Sequence, residues 1–158
     1  MHKSTIHASE VRVTDVSELF KILSDETRLR IVRLFLYSGK ELCVCEIVDA
    51  LNLPQYQVSR HLAALKSAGL TSSTKKGTWA YYHLNSNSPL SAALWTFLAT
   101  APVDMEAEKS LQHDRNALDL RLALRENGAC VVGLTPAARN EPHNSENSEK
   151  QNKKRRDL

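Results

Sequence analysis

Nowhere in the 158-residue sequence is there an apolar run long enough to cross a membrane, so no bilayer span is expected. The opening MHKSTIHASE lacks the apolar stretch of a secretory signal, which leads to the expectation of a cytoplasmic chain whose thiols meet a reducing cytosol. Cysteine is scarce: Cys43, Cys45 and Cys130, an odd count that fits free thiols better than a disulfide framework. There is no C-x-x-C pair, and neither helical context nor a neighbouring His or Arg marks Cys43 as an activated nucleophile. A thiol enzyme such as a reductase or oxidoreductase therefore lacks its signature, and no catalytic residue and no permanent cofactor is assigned. A strong excess of either charge is lacking too. The net charge is +3 with a pI near 8.8, a mild basic excess that permits nucleic-acid binding without arguing for it.

What is present is enough apolar sequence, 42%, for one domain with a real core. The most patterned stretch runs from Glu41 to Gly69. Val58, Leu62 and Leu65 recur at i, i+4 and i+7 after Pro54 and before Gly69, the marks of one amphipathic helix. Ile47 and Leu51 mark a shorter helix before it, ended by Asn52-Leu53-Pro54; helix, tight turn, helix suggests a helix-turn-helix. Off the buried stripe lie Gln55, Gln57, Ser59, Arg60, His61 and Lys66, taken as the DNA-facing set, with Gln57, Ser59 and Arg60 reading bases and Lys66 on phosphate.

Upstream, Asp15 and Glu18 are spaced as a capping box for a helix carrying Val16, Leu19, Phe20 and Leu23 on one face. A second helix from Glu26 to Tyr37 is apolar nearly all round and belongs in the core. Downstream, Leu70 to Lys75 and Thr78 to Leu84 change to period two across Lys76-Gly77, a hairpin wing whose Lys75 and Lys76 suit phosphate. Trp79, Tyr81 and Tyr82 sit at strand spacing and are expected to pack the wing on the core rather than stack bases. PLSAALWTFLAT, residues 89–100, is too apolar for a solvent-facing helix and suits a dimer interface. Asp104 to Asn127 reads as a charged helix of roughly 36 Å, with Leu111, Leu118 and Leu122 on one face and Asn127-Gly128 as its stop.

These readings divide the chain into a flexible arm at 1–14, a winged-helix DNA-binding and dimerisation domain at 15–100, a C-terminal helix with docking segment at 104–134, and a disordered basic tail at 137–158. His2 and His7 in the arm make a poor ligand set, and Lys153 to Arg156 in the tail are read as a solvated basic end. The fold class expected is mainly α with a small β-hairpin: a homodimeric winged helix-turn-helix with an extra C-terminal helix.

Through LSDETRLRIVRLF, ELCVCEI, QVSRHLAALKSAGL and GTWAYYHL, in that order, the chain resembles the ArsR/SmtB winged-helix repressors over roughly Val16 to Leu98. The resemblance implies a homodimer that represses transcription by binding double-stranded operator DNA, with the 89–100 helix paired on the partner's first helix. Cys-Val-Cys leading into the first helix of the pair resembles the arsenic-responsive branch, whose members bind trivalent arsenic or antimony through thiolates and then leave DNA. The third cysteine of that branch falls three residues after the second, and here Val48 stands there. Zinc-sensing relatives carry Asp and His along the 89–100 helix, where this chain has neither.

Soft thiolates select arsenite, antimonite, cadmium or lead over magnesium or calcium. Residues i and i+2 lie roughly 200° apart on a regular helix, so Cys43 and Cys45 must chelate from an extended lead-in or a distorted first turn. Binding there would reshape the end of the helix that supports the recognition helix, where the positive helix end also favours the thiolate. The residues leave Cys130 open between a third metal ligand, from the same or the other subunit, and a core position. With Cys43 and Cys45 alone, a trivalent organoarsenical or a small external thiol completes the site. Competing readings are a cadmium- or lead-responsive repressor, although no cysteine precedes Cys43, and a redox-responsive repressor in which these thiols form a disulfide.

Overall fold

The computed structural model describes residues 13–135. The expectations for the arm's residues 1–12 and for the tail at 137–158, including Lys153 to Arg156, lie outside them.

Helix α1 (Val13–Leu23) begins two residues ahead of the expected Asp15, so Val13 and Thr14 belong to the helix and Asp15 sits in its first turn instead of capping it. Asp25 then caps α2 (Glu26–Ser38) by accepting from the Arg28 backbone N–H at 3.0 Å. Gly39, at φ 60°, ends that helix in the left-handed conformation that favours glycine. As expected for a helix apolar nearly all round, Ile31, Val32, Leu34 and Phe35 are buried.

Strand β1 (Leu42–Cys43) leads directly into α3 (Val44–Leu51), and Asn52, at φ 51°, turns the chain toward α4 (Gln55–Ser67). The α4 stripe of Val58, Leu62 and Leu65 is fully buried. Strands β2 (Thr71–Lys76) and β3 (Trp79–Leu84) pair antiparallel from Thr71↔Leu84 to Lys76↔Trp79, so Gly77 and Thr78 form the turn, one residue later than expected. The wing is also more than a hairpin. β1 pairs with the far edge of β3, Leu42↔Tyr82 and Cys43↔Tyr81, giving a three-stranded sheet in the order β1-β3-β2. Two residues are too few for a periodicity to register in the sequence.

Helix α5 (Pro89–Thr100) is capped by Ser88 and anchored where the Trp95 indole N–H donates to the Asn85 carbonyl at 2.7 Å. Helix α6 (Met105–Leu122), capped by Asp104, is shorter than expected, about 27 Å at the standard rise. Its apolar stripe stops at Leu122, and Asn127 and Gly128, at φ 49° and 77°, form a tight turn closed by the Glu126↔Ala129 bridge rather than a helix stop. Along the buried face of α6, Leu111, Asp114, Leu118 and Arg121 alternate apolar with charged. Asp114 takes a two-pronged pair from Arg30 of α2, at 2.8 and 2.7 Å, which locks α6 across the core. Among the described residues no helix is long and apolar enough to cross a membrane.

Candidate functional site

Cys43 ends β1 with extended backbone (φ −83°, ψ 160°) and serves as the N-cap of α3, while Cys45 lies in the first turn. That junction of strand and helix overcomes the i, i+2 divergence of a regular helix, and the two sulfurs lie 2.7 Å apart. The turn after α6 brings Cys130 Sγ to 3.3 Å from Cys45 Sγ, across 85 residues of the same chain. All three ligand atoms fall within 4.8 Å of one another, and all three residues are buried. Cys130 thus joins the pair where the position of Val48 offers only an apolar side chain, itself buried in the core.

Tyr81 is the pivot of this arrangement. Its hydroxyl accepts the Cys130 backbone N–H at 2.7 Å, and its buried ring closes the cluster beside Trp79 and Leu134. Trp79 and Tyr82 are half-buried and also pack inward, so the wing aromatics serve the interior.

Two arginines hold the site together. Arg125 donates from Nε and Nη2 to Glu46 at 2.7 and 2.8 Å and from Nη2 to the Glu41 carbonyl at 2.7 Å. Glu46 in turn accepts the Cys43 N–H at 2.8 Å, fixing the strand-to-helix corner. Arg121 pairs with Asp49 at 2.8 Å, donates to the carbonyls of Val132 and Gly133, and approaches Cys130 Sγ to 3.9 Å. None of Glu46, Asp49, Arg121 and Arg125 was marked as a site residue by the sequence. The available signal was that Arg121 continues the buried α6 stripe three residues after Leu118.

The hydrogen bond from Cys43 draws the Cys45 thiol down to about 6, against its burial, with help from Cys130 and Arg121. Cys43 is pushed up by that same bond and by burial, and Cys130 is pushed up to about 11, chiefly by burial. Of the three, the Cys45 thiol is therefore the one that ionises first as pH rises. Because Cys45 ionises below its unfolded value of 9.0, the folded chain holds fewer protons there. Its contribution to stability is full above that value and is lost as pH falls through about 6. Thiolate ultraviolet absorbance of the reduced protein should show one step near pH 6 that Cys45→Ser removes; a first step only in the ordinary thiol range would contradict this charge state.

A cavity of about 460 Å³ lies over the site, bordered by Cys43, Cys45, Gln55, Trp79, Ala80 and Leu134, and offers a route to the thiols. The donor set fits a thiophilic ion: three sulfurs close enough to share one centre, with no hard oxygen ligand in the cluster.

On α4, Gln55, Ser59, Arg60 and Lys66 are exposed, while Gln57 and His61 are half-buried. Gln57 donates to the Tyr56 hydroxyl at 3.1 Å, His61 lies 3.7 Å from Asp25, and Lys66 donates to Ser73 at 2.7 Å. Tyr56, 45% exposed, stands on the same helix and was not singled out in the sequence. At the wing tip Lys75 is exposed, and Lys76 pairs with Glu41 while its ammonium sits 5.2 Å from the Tyr81 ring centre.

A helix pair whose second member presents polar side chains, followed by a β-wing, defines a winged helix-turn-helix protein. The model of bacterial regulatory proteins of the arsR family matches residues 25–73. The arsenical resistance operon repressor of Escherichia coli K12 is 50% identical over 76 residues, 48% of this chain and 64% of that protein. The cadmium resistance transcriptional regulatory protein CadC of Listeria innocua is 44% identical over 69 residues, 44% of this chain and 57% of that protein. The chain thus spans less than two thirds of either relative's length. The crystal structure of the transcriptional regulator HlyU from Vibrio vulnificus superposes with a TM-score of 0.50 at 30% identity, covering 57% of this chain and 90% of that one. The chain belongs to the arsR family of bacterial regulatory proteins.

Proposed function

We propose that this protein is a transcriptional repressor that binds double-stranded operator DNA as a homodimer and releases it when trivalent arsenic, as arsenite, or antimony binds Cys43, Cys45 and Cys130. The observation that carries the reading is the convergence of three buried thiols on one point at the start of the helix that supports α4. It agrees with the name of the Escherichia coli relative, an arsenical resistance operon repressor. The CadC relative makes cadmium the competing ligand.

Bound metalloid supplies a centre that three sulfurs share. The chain's part is to deliver those sulfurs from three elements: Cys43 from β1, Cys45 from α3, and Cys130 from the turn after α6. Fixing them on one centre would constrain α3 at its N-terminal corner and the wing through Tyr81. Both elements flank α4, so its angle relative to the wing is what ligand binding changes. Coupling of about 1 to 3 kcal/mol, typical of such switches, weakens DNA binding roughly 5- to 150-fold.

In the operator complex Gln57, Ser59 and Arg60 read base edges, with Gln55 and His61 beside them. Lys66, Lys75 and Lys76 hold phosphate, Lys76 exchanging Glu41 for it. The dimer uses α1 and α5, where Phe20 and Phe97 are each 61% exposed, a large apolar surface to leave in water. Fluorescence anisotropy with operator and mismatched duplexes tests the DNA face. Arg60→Ala should cost about 1 to 3 kcal/mol on operator and relax specificity at one position, whereas Lys75→Ala should weaken all duplexes alike and reduce the salt slope by about 1. Unchanged specificity and affinity in Arg60→Ala would contradict α4 as the reading helix.

A further inference from the structure

The thiols share the interior with two ion pairs, Arg121 with Asp49 and Arg125 with Glu46. Arg121 and Asp49 have side chains only 4% and 9% exposed, and Arg125 and Glu46 only 13% and 0%. Each carboxylate is also held by a neutral donor: Thr135 Oγ1 donates to Asp49 at 2.9 Å, and the Cys43 N–H to Glu46 at 2.8 Å. Arg121 stands nearest the sulfurs, and its bonds to the Val132 and Gly133 carbonyls hold it there independently of Asp49.

With the nearby charges paired, the charge of the ion–thiolate complex itself weighs on the electrostatic cost of burying it. Three thiolates on trivalent arsenic or antimony are neutral. Three thiolates on divalent cadmium or lead carry one negative charge. We propose that the Arg121–Asp49 pair tunes this site toward trivalent metalloids over divalent cations, with Asp49 offsetting much of the guanidinium charge that would otherwise stabilise an anionic complex more strongly. The inference rests on the three-thiolate reading above and adds the residue that sets its ion preference.

The proton balance agrees. Arsenous acid brings three hydroxyls. Each leaves as water with the proton of one cysteine thiol. Three As–S bonds replace three As–O bonds with no change of oxidation state, and the site ends uncharged. A divalent cation bound by the same three thiols instead releases three protons to solvent and leaves one negative charge behind.

The test is direct binding, without DNA. Arsenite and cadmium are each competed against a small dithiol chelator and followed by thiolate-to-ion ultraviolet absorbance, in the reduced full chain, Asp49→Asn, Arg121→Gln and the double variant. Asp49→Asn should raise the cadmium-to-arsenite affinity ratio about tenfold or more, since it exposes the sulfurs to an uncancelled charge a few ångströms away. Arg121→Gln should lower the ratio, and the double variant should return it toward the parent value. A purely structural role would weaken both ions together and leave the ratio still. An unmoved ratio, or movement in the same direction in both single variants, overturns the proposal while arsenite binding stands; each single variant is a sufficient test should the other fail to fold. Absence of three-sulfur arsenite binding in the parent protein would defeat the functional reading itself, and this inference with it.

Discussion

Arg125→Ala is expected to remove about 3 to 5 kcal/mol of folding stability, the usual result of stripping one partner from a buried ion pair. The Glu46 side chain is 0% exposed and receives both prongs of the guanidinium, so without Arg125 a buried carboxylate keeps only the Cys43 N–H. The loss would also free the Glu41 carbonyl at the mouth of β1, loosening the strand that carries Cys43. Against a typical total of about 5 to 15 kcal/mol such a change is severe. Urea unfolding followed by circular dichroism measures it. Adding Glu46→Gln to the Arg125→Ala chain should recover part of the loss, because an uncharged amide costs less to bury. A loss below about 1 kcal/mol, the range of an exposed pair, would mean that water reaches Glu46 freely.

Cys45→Ser is expected to abolish the arsenite response while leaving operator binding in place. Its sulfur lies between the other two, at 2.7 Å from Cys43 and 3.3 Å from Cys130, and it is the thiol whose ionisation the site favours. A serine hydroxyl is a harder ligand and stays protonated, so the site loses its central soft donor. Nothing on the exposed face of α4 changes. The arsenite-driven drop in DNA affinity of roughly 5- to 150-fold should therefore vanish, as read by anisotropy on labelled operator. Undiminished release in this variant would mean that the ligand is sensed elsewhere.

The two halves of this molecule differ in how far their sequence discloses them. Val58, Leu62 and Leu65 declare α4 because a local stripe at helical spacing must be buried, and all three are. Residues 89–100 declare α5 in the same way, down to the proline at its start. That Cys43 and Cys45 could face one point was legible because an i, i+2 pair can do so only from an extended corner, which the end of β1 provides.

What escaped notice depends on partners far along the chain. β1 exists only because β3 lies beside it, and nothing in Leu42-Cys43 announces that pairing. Asn127-Gly128 looked like a helix stop because the same left-handed conformation ends helices and makes tight turns. Arg121, Arg125, Asp49 and Glu46 look like an ordinary solvated surface until α6 lies across α3 and pairs them. Cys130 could be placed on the site only once that crossing and the turn after it were known.

The measurement that tests the account most directly is operator release by the reduced protein, titrated with arsenite, a methylated trivalent arsenical, cadmium and zinc, in the parent chain and in Cys130→Ser. The account predicts that arsenite dissociates the parent complex and that Cys130→Ser loses this response, because the third sulfur comes from the turn after α6. Full arsenite release in Cys130→Ser would reduce the site to Cys43 and Cys45, and release by cadmium or oxidant alone would contradict the arsenic assignment.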